Sequence, residues 1–264
     1  MGNIDIDKIK LRGFEQGSKE ALVEDYCRRM ASQHTDRLIE AYNRLGKSWN
    51  GRYINSDLMK MIFPFYANSY ENRGLYNLSI SNSAATLTNE AYMRAILRAD
   101  IARCIFIAGP YGAGKSYFVQ SLFESEGEGL LKDSIVYEGS ITPPYFKEKI
   151  DYAIENDVQP SIIALNPTLE LSIRNIKERA RQTGRDVIKP EVIDKFANLY
   201  RYLKELLEEV DIPFTIYSKS SNITIDLSGG SQNLDELYHG TYEEVSDEYD
   251  KIIAKLESEL EINE

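Results

Sequence analysis

Residues 109 to 116 read Gly-Pro-Tyr-Gly-Ala-Gly-Lys-Ser, a complete G-x-x-x-x-G-K-S phosphate-binding loop. Glycines let backbone N–H groups approach phosphates without Cβ clashes, and the helix expected to begin at Lys115 directs its positive dipole end toward them. We expect Lys115 to reach the β- and γ-phosphates and the Ser116 hydroxyl to ligate Mg²⁺. The alternative is a glycine-rich turn without a ligand. The predicted nucleotide-binding residues are Gly109, Pro110, Tyr111, Gly112, Ala113, Gly114, Lys115, Ser116 and Tyr117.

Asp57 is the candidate general base. It follows a short strand candidate at residues 52 to 55 and lies in the first turn of a helix for which Ser56 is the expected N-cap. Ligands of open parallel sheets bind beyond the carboxyl ends of the strands, and a helix N-terminus stabilises a carboxylate there. Lys60 lies one turn further on the same helix face. A helix-capping aspartate and a solvated lysine are the alternatives.

Further charged residues follow two later strand candidates. Glu138 comes directly after the strand predicted at residues 134 to 137 and could hold substrate hydroxyls or water around Mg²⁺, or be an ordinary loop acid. A basic cluster on the helix and loop after the next strand resembles the mobile lid with which nucleotide kinases clamp the γ-phosphate. A charged surface helix is the alternative for most of its members. The cluster comprises Arg174, Lys177, Arg179, Arg181 and Arg185.

The segment from residue 68 to 88 is polar, aromatic and rich in asparagine, and it predicts a long loop. Long loops inside compact domains are commonly functional, and both ends of this one should lie near the ligand edge of the sheet. We therefore expect it to form the acceptor pocket, with Arg73, Asn82 and Thr86 as substrate-binding residues. A surface Ω-loop packed by its own tyrosines is the alternative. Thr88 is the expected N-cap of the helix that follows.

The elements that must position these residues alternate along the chain. Strands are predicted at 103 to 108, 134 to 137, 161 to 165, 214 to 217 and 223 to 225, and helices at 115 to 124, 144 to 155, 168 to 182 and 190 to 210. Such alternation requires a mostly parallel sheet with helices on its faces, hence an α/β fold of the P-loop kinase type. The predicted organisation is an N-terminal helical region (1–50), a kinase domain (51–230) and an acidic C-terminal helix (231–264).

Composition narrows the functional classes. The 264 residues carry a net charge of -11, and no basic stripe is present, so a nucleic-acid partner is not expected. Neither a membrane-spanning apolar run nor a signal-peptide pattern is present, and two distant cysteines, Cys27 and Cys104, fit a reducing compartment. The expected location is cytoplasmic. His34 and His239 show no metal-ligand spacing, and we expect both at the surface. The chain also lacks an Asn-Lys-x-Asp guanine motif, which disfavours a switch GTPase.

Several segments together resemble the zeta-toxin family of phosphoryl transferases. In chain order they are residues 136 to 140, 162 to 167, 170 to 172, Arg185 with Pro190, 216 to 217 and 222 to 226. In that family the catalytic segment follows the phosphate loop, whereas its counterpart here, Asn55-Ser56-Asp57-Leu58-Met59-Lys60 with Phe63-Pro64, precedes the loop. The chain therefore resembles a permuted member, an arrangement that requires the Asp57 strand to lie beside the phosphate-loop strand.

The resemblance implies an ATP- or GTP-dependent kinase that uses Mg²⁺ and phosphorylates a hydroxyl of a nucleotide-linked small molecule such as a UDP-N-acetyl sugar. It implies Asp57 as general base, Lys115 with Arg179 or Arg185 as γ-phosphate stabilisers, and Glu138 in the substrate pocket. It also brings an antitoxin or immunity protein into consideration as a partner. Phosphorylation of NAD or of a polynucleotide 5′-hydroxyl, and a non-catalytic nucleotide-gated interaction module, are the alternatives.

Overall fold

A computed structural model describes residues 2–125, 132–139, 142, 145–184, 186–219 and 230–261. Within these ranges, five parallel strands form one sheet in the order β1-β3-β2-β4-β5. The strands are β1 (Tyr53–Asn55), β2 (Arg103–Ala108), β3 (Ser134–Glu138), β4 (Gln159–Pro167) and β5 (Phe214–Lys219). Parallel neighbours need crossover connections, which helices on the sheet faces provide. The predicted α/β fold with a mostly parallel sheet is confirmed.

Eleven α-helices lie in the described ranges. They are α1 (Lys19–Gln33), α2 (Thr35–Asn43), α3 (Ser56–Lys60), α4 (Pro64–Ala67), α5 (Tyr70–Leu75), α6 (Asn77–Ile96), α7 (Lys115–Ser125), α8 (Tyr145–Glu155), α9 (Leu169–Thr183), α10 (Lys189–Glu209) and α11 (Tyr242–Glu261). Short 3₁₀ turns occur at Ile6–Lys8, Gly46–Ser48 and Leu234–Leu237. No helix of the described chain is long and apolar enough to cross a membrane. The predicted strand at 223 to 225 lies outside the described residues.

The position of β1 differs from the arrangement that the permuted resemblance required. β1 pairs with β3, and β3 in turn pairs with β2, so β3 separates the Asp57 strand from the phosphate-loop strand. In the register, Glu138 is opposite Asn55 on one side and opposite Ile107 on the other. Glu138 therefore lies between the end of β1 and the end of β2, and all the strands still present their carboxyl ends to one edge.

The sheet is buried on both faces, as its apolar strands predict. Phe106 and Ile135 belong to a core on one face, together with residues of α6, α8 and α10. Their neighbours Ile107 and Val136 belong to a second core that includes Val119 of α7. Successive residues of β2 and β3 thus face opposite layers, which fixes the strand ends relative to the helices that begin there.

The segment predicted as a loop at 68 to 88 is helical, and that prediction is wrong. Here α5 and most of α6 replace it, and Thr88 lies inside α6, where its hydroxyl donates to the Ala84 carbonyl at 2.7 Å instead of capping a helix. Small polar residues on the buried side of α6, including Ser79 and Ser83, hide the apolar periodicity in the sequence. In the structure α6 packs against α1 and α3 over a shared apolar core.

The acidic C-terminal helix is docked on the domain. Val245, Tyr249 and Ile252 of α11 belong to one core with residues of α9 and α10. Ion pairs at the rim join Arg174 to Glu259 at 2.9 Å and Lys189 to Asp250 at 2.7 Å. The helix therefore packs on α9 and α10.

Candidate active site

The phosphate-binding loop connects β2 to α7, as predicted, and its glycines adopt conformations that other residues disfavour. Gly112 has a φ of 74°, and a Cβ atom there would lie 2.3 Å from the carbonyl oxygen of Ser172 in α9. The Asn175 amide of the same helix donates to the Gly112 carbonyl at 2.8 Å. The loop is therefore held against α9 by close backbone packing that only glycine permits.

Lys115 is the first residue of α7, and its ammonium group lies across the loop. Its Nζ donates to the carbonyl oxygens of Gly109 and Pro110, at 2.9 Å each. Burial lowers the pKa of Lys115, while the carboxylates of Glu138 and Asp57 oppose that shift. An ammonium group held by two backbone carbonyls can turn to an incoming phosphate, because the phosphate is the stronger, charged acceptor.

Ser116, Glu138 and Tyr53 form a hydrogen-bonded row at the carboxyl edge of the sheet. The Ser116 hydroxyl donates to the Glu138 carboxylate at 2.9 Å. The Tyr53 hydroxyl, whose pKa is raised by burial and by the Glu138 charge, donates to Oε2 of this carboxylate, the same oxygen to which Ser116 donates. Tyr53 is thus a fixed donor that orients Glu138 toward the first turn of α7.

This row fits a magnesium ion bound with a nucleotide. Mg²⁺ in phosphoryl-transfer sites takes one or two protein oxygens, and phosphates and water complete its shell. Ser116 and Glu138 supply a hydroxyl and a carboxylate oxygen within 3 Å of each other. Among the described residues, no group of three or more His, Cys, Asp and Glu side chains is arranged to hold a metal ion. The Ser116 and Glu138 oxygens match a site of this kind, in which phosphates and water supply the other ligands.

Asp57 lies in the first turn of α3, where Lys60 holds it. The Lys60 ammonium is 3.2 Å from the Asp57 carboxylate and donates to the Asn77 amide oxygen at 2.7 Å. The Lys60 side chain is only 7% exposed, whereas that of Asp57 is 42% exposed. The N-cap of α3 is Asn55, which accepts from Leu58 N at 2.8 Å, so the prediction of Ser56 as the cap is wrong. Asp57 is thus free of the capping role and presents its carboxylate outward.

One cavity of about 860 Å³ connects the phosphate loop with Asp57 and the first half of α6. The predicted site residues that line it are Tyr111 to Tyr117, Asp57, Lys60, Glu138, Arg179 and Asn82. Gly109 and Pro110 are not among the described residues that line the cavity, but their carbonyl groups accept hydrogen bonds from Lys115, which does line it. The sheet topology explains this convergence, because β1, β3 and β2 end side by side.

Within the basic cluster, only Arg179 of the described members lines the cavity. Its charge helps to lower the pKa of Lys115. Arg174 and Arg181 instead pair with acidic residues of the surface. Lys177 lies 3.7 Å from Asp186. Arg185 lies outside the described residues.

The predicted acceptor residues separate into two groups. Asn82 lines the cavity, and its amide donates to the Lys10 carbonyl at 2.7 Å, which ties the N-terminal segment to α6. Arg73 and Thr86 are not among the described residues that line the cavity. Arg73 Nη2 donates to the Ala67 carbonyl at 3.1 Å, and the Thr86 hydroxyl donates to the Asn82 carbonyl at 2.9 Å. Both therefore bond to nearby backbone carbonyls.

Sequence reasoning missed several residues of the cavity wall. Lys219 ends β5, and the rule that ligands bind beyond strand ends could have identified it. Arg12 carries no local signal, because it reaches the cavity only through the packing of the N-terminal region on α6. Asn77 and Ser81 line the cavity from α6 and lie within the segment 68 to 88 that was predicted to form the acceptor pocket. His34 is exposed as expected. His239 is not at the surface: it is half-buried, and Nε2 lies 2.7 Å from the Asn166 amide oxygen.

No known family model matches this chain, and a search of curated proteins gives no match.

Proposed function

We propose that this chain is a nucleotide-dependent phosphotransferase that moves the γ-phosphoryl group of ATP or GTP to a hydroxyl of a nucleotide-linked small molecule such as a UDP-N-acetyl sugar. The observation that carries the proposal is the single cavity in which the phosphate loop, the Ser116–Glu138 pair and the Asp57–Lys60 pair meet. Nucleotide binding alone would require only the phosphate loop with Lys115 and Ser116. An outward-facing carboxylate held by a buried lysine opposite the loop is additionally suited to proton transfer.

The reaction follows from the roles of these groups. The Asp57 carboxylate accepts the proton of the acceptor hydroxyl, whose oxygen forms a bond to the γ-phosphorus. The bond from this phosphorus to the β–γ bridging oxygen breaks, and the nucleoside diphosphate leaves with the electron pair. Lys115 and Arg179 stabilise the negative charge on the oxygens of the transferring group, because their cationic groups face the same cavity. Lys60 positions Asp57, because its ammonium group lies 3.2 Å from the carboxylate.

Ser116 and Glu138 are the residues that would hold Mg²⁺. When bound, the ion would neutralise negative charge on the phosphates. Tyr53 supports this role, because its hydrogen bond fixes the carboxylate that would ligate the ion.

The part of the cavity beside α6 carries several polar side chains next to the apolar Leu78 and Ala85. Asn77, Ser81 and Asn82 on α6 line it beside Arg12 of the N-terminal segment. Amide and hydroxyl groups hydrogen-bond sugar hydroxyls, and an arginine pairs with phosphate. This lining supports a sugar-phosphate type of acceptor over an apolar one.

The direct test is a labelled-phosphate assay with metabolite extract and with purified UDP-N-acetyl sugars, using the parent chain and Asp57→Asn. We expect the parent to yield a phosphorylated small molecule. Asp57→Asn should lower turnover by about 100-fold or more, the usual contribution of a positioned general base, with nucleotide affinity nearly unchanged. Asp247→Asn, on exposed α11, is the matched control and should behave like the parent.

Different results would separate the alternatives. If the parent binds nucleotide but labels no small molecule, the chain is a nucleotide-gated module. If label enters a polynucleotide 5′ end or NAD, the acceptor class is different. Should Asp57→Asn keep more than about a tenth of the activity, Asp57 is not the base.

A further inference from the structure

Lys219 is a buried cation at the phosphate-loop end of the cavity. It is the last residue of β5, it is 6% exposed, and its side chain lines the cavity. Its Nζ lies 5.5 Å from the centre of the Tyr117 ring. A Cβ atom on Gly114 would lie only 3.1 Å from this Nζ, so the ammonium rests directly against the phosphate loop.

Among the described residues, the charge of Lys219 lacks the carboxylate and amide partners that Lys60, another buried lysine of the cavity, has. Lys60 is equally buried, but it pairs with Asp57 and Asn77. Across the described ranges, Lys219 Nζ has no hydrogen bond or ion pair, and the Tyr117 ring is its one charge-stabilising contact. Burial accordingly lowers the pKa of Lys219. Burying an uncompensated charge opposes folding, so a lysine at this place is best explained by an anion that it receives.

The geometry points to Lys219 as a second phosphate-binding lysine, which contacts the α- and β-phosphates of the nucleotide from the β5 side of the loop. This inference rests on the proposed nucleotide-binding function. Backbone N–H groups of the loop cradle the α- and β-phosphates, while the loop lysine extends to the β- and γ-phosphates. Lys219 adjoins Gly114 of that backbone, whereas Lys115 lies across the carbonyls at the start of the loop. The Tyr117 ring face holds the ammonium group in place until the nucleotide binds.

The test compares Lys219→Met with the parent by calorimetric titration of ATP and ADP in the presence of Mg²⁺. Methionine keeps the unbranched apolar stem of the side chain and removes the ammonium group. We expect affinity for ATP and for ADP to fall by similar factors, about 10- to 100-fold, the range for a charge-assisted hydrogen bond. Lys251→Met, on the exposed part of α11, is the control for loss of one positive charge and should leave both affinities unchanged.

A melting experiment without nucleotide gives a second, independent measurement. If Lys219 is retained for binding, Lys219→Met should be at least as heat-stable as the parent, because the variant no longer buries a charge. A lower melting temperature would show a structural role and overturn the inference. So would nucleotide affinities within twofold of the parent, or a loss confined to ATP, which would move Lys219 to the γ-phosphate. If the parent itself binds no nucleotide, the proposed function fails first and the role of Lys219 fails with it.

Discussion

The Asp57–Lys60 pair predicts unequal stability effects when one or the other partner is replaced. Lys60 is almost completely buried, whereas Asp57 is 42% exposed. In Asp57→Ala, the buried ammonium keeps the Asn77 oxygen at 2.7 Å but loses the carboxylate. In Lys60→Met, the buried charge itself is removed, and Asn77 still accepts from the Tyr66 hydroxyl at 3.1 Å. We therefore expect the first variant to be clearly destabilised and the second to be close to the parent.

The magnitude follows from the distance and the exposure. Two unit charges 3.2 Å apart attract by about 5 kcal/mol at an effective dielectric constant of about 20 and by about 1 kcal/mol in bulk water. Because solvent reaches Asp57, the lower part of this range applies, and we expect Asp57→Ala to lose about 1–2 kcal/mol of unfolding free energy. Lys60→Met should stay within about 1 kcal/mol of the parent, since lost attraction and relieved desolvation offset each other.

Urea denaturation of the parent, both single variants and the double variant measures these energies. The double variant should be more stable than Asp57→Ala, because it no longer buries an ammonium without its carboxylate. All three variants should lose most phosphotransfer activity, since each removes Asp57 or the group that positions it. The reasoning is refuted if Lys60→Met is as unstable as Asp57→Ala and the two effects simply add.

Two other features make testable predictions. Gly112→Ala should abolish nucleotide binding and lower the unfolding free energy by more than about 1 kcal/mol. Gly13→Ala is the control, because Gly13 has a similar φ of 81° but no atom within 4 Å of the added Cβ. It should lower the unfolding free energy only by the cost of the strained backbone and leave nucleotide binding unchanged. Burial lowers the pKa of His239 below 6.5, so on acidification the unfolded chain binds a proton at this residue before the folded chain does. The unfolding free energy, measured by urea denaturation, should therefore decrease as the pH falls below about 6.5. His239→Gln should weaken this pH dependence.

Much of the fold could be predicted because the relevant signals are local. The apolar strands before the phosphate loop and after α8, and the helices between them, are strongly patterned, and the observed bounds differ from prediction by one or two residues at most ends. The segment from residue 68 to 88 was predicted wrongly. Ser79 and Ser83 occupy buried positions of α6, so burial there does not follow apolar periodicity, and tertiary packing on α1 and α3 determines the helix.

Some residues of the candidate site could likewise be predicted from local sequence signals, and others could not. Residues in the loop motif or directly after a strand, such as Asp57 and Glu138, could be predicted from the position of strand ends. The hydrogen bond of Tyr53 to Glu138 and the contact of Lys219 with the loop depend on strand neighbours that no local pattern specifies. Arg73 looked equally suitable in sequence, but the helix that replaces the predicted loop turns it toward the Ala67 carbonyl.

The separation of β1 from β2 explains why chain order matters little to this site. A parallel sheet presents all its carboxyl ends at one edge, so a residue just past β1 can meet the phosphate loop whether β1 precedes or follows the loop in the chain. What must be preserved is the register that sets Glu138 opposite both Asn55 and Ile107. A one-residue slip of β1 against β3 would reverse the faces of Tyr53 and Ile54 and remove the hydrogen bond to Glu138. The site thus depends on strand pairing, and β3 is the element that links Asp57 to the phosphate loop.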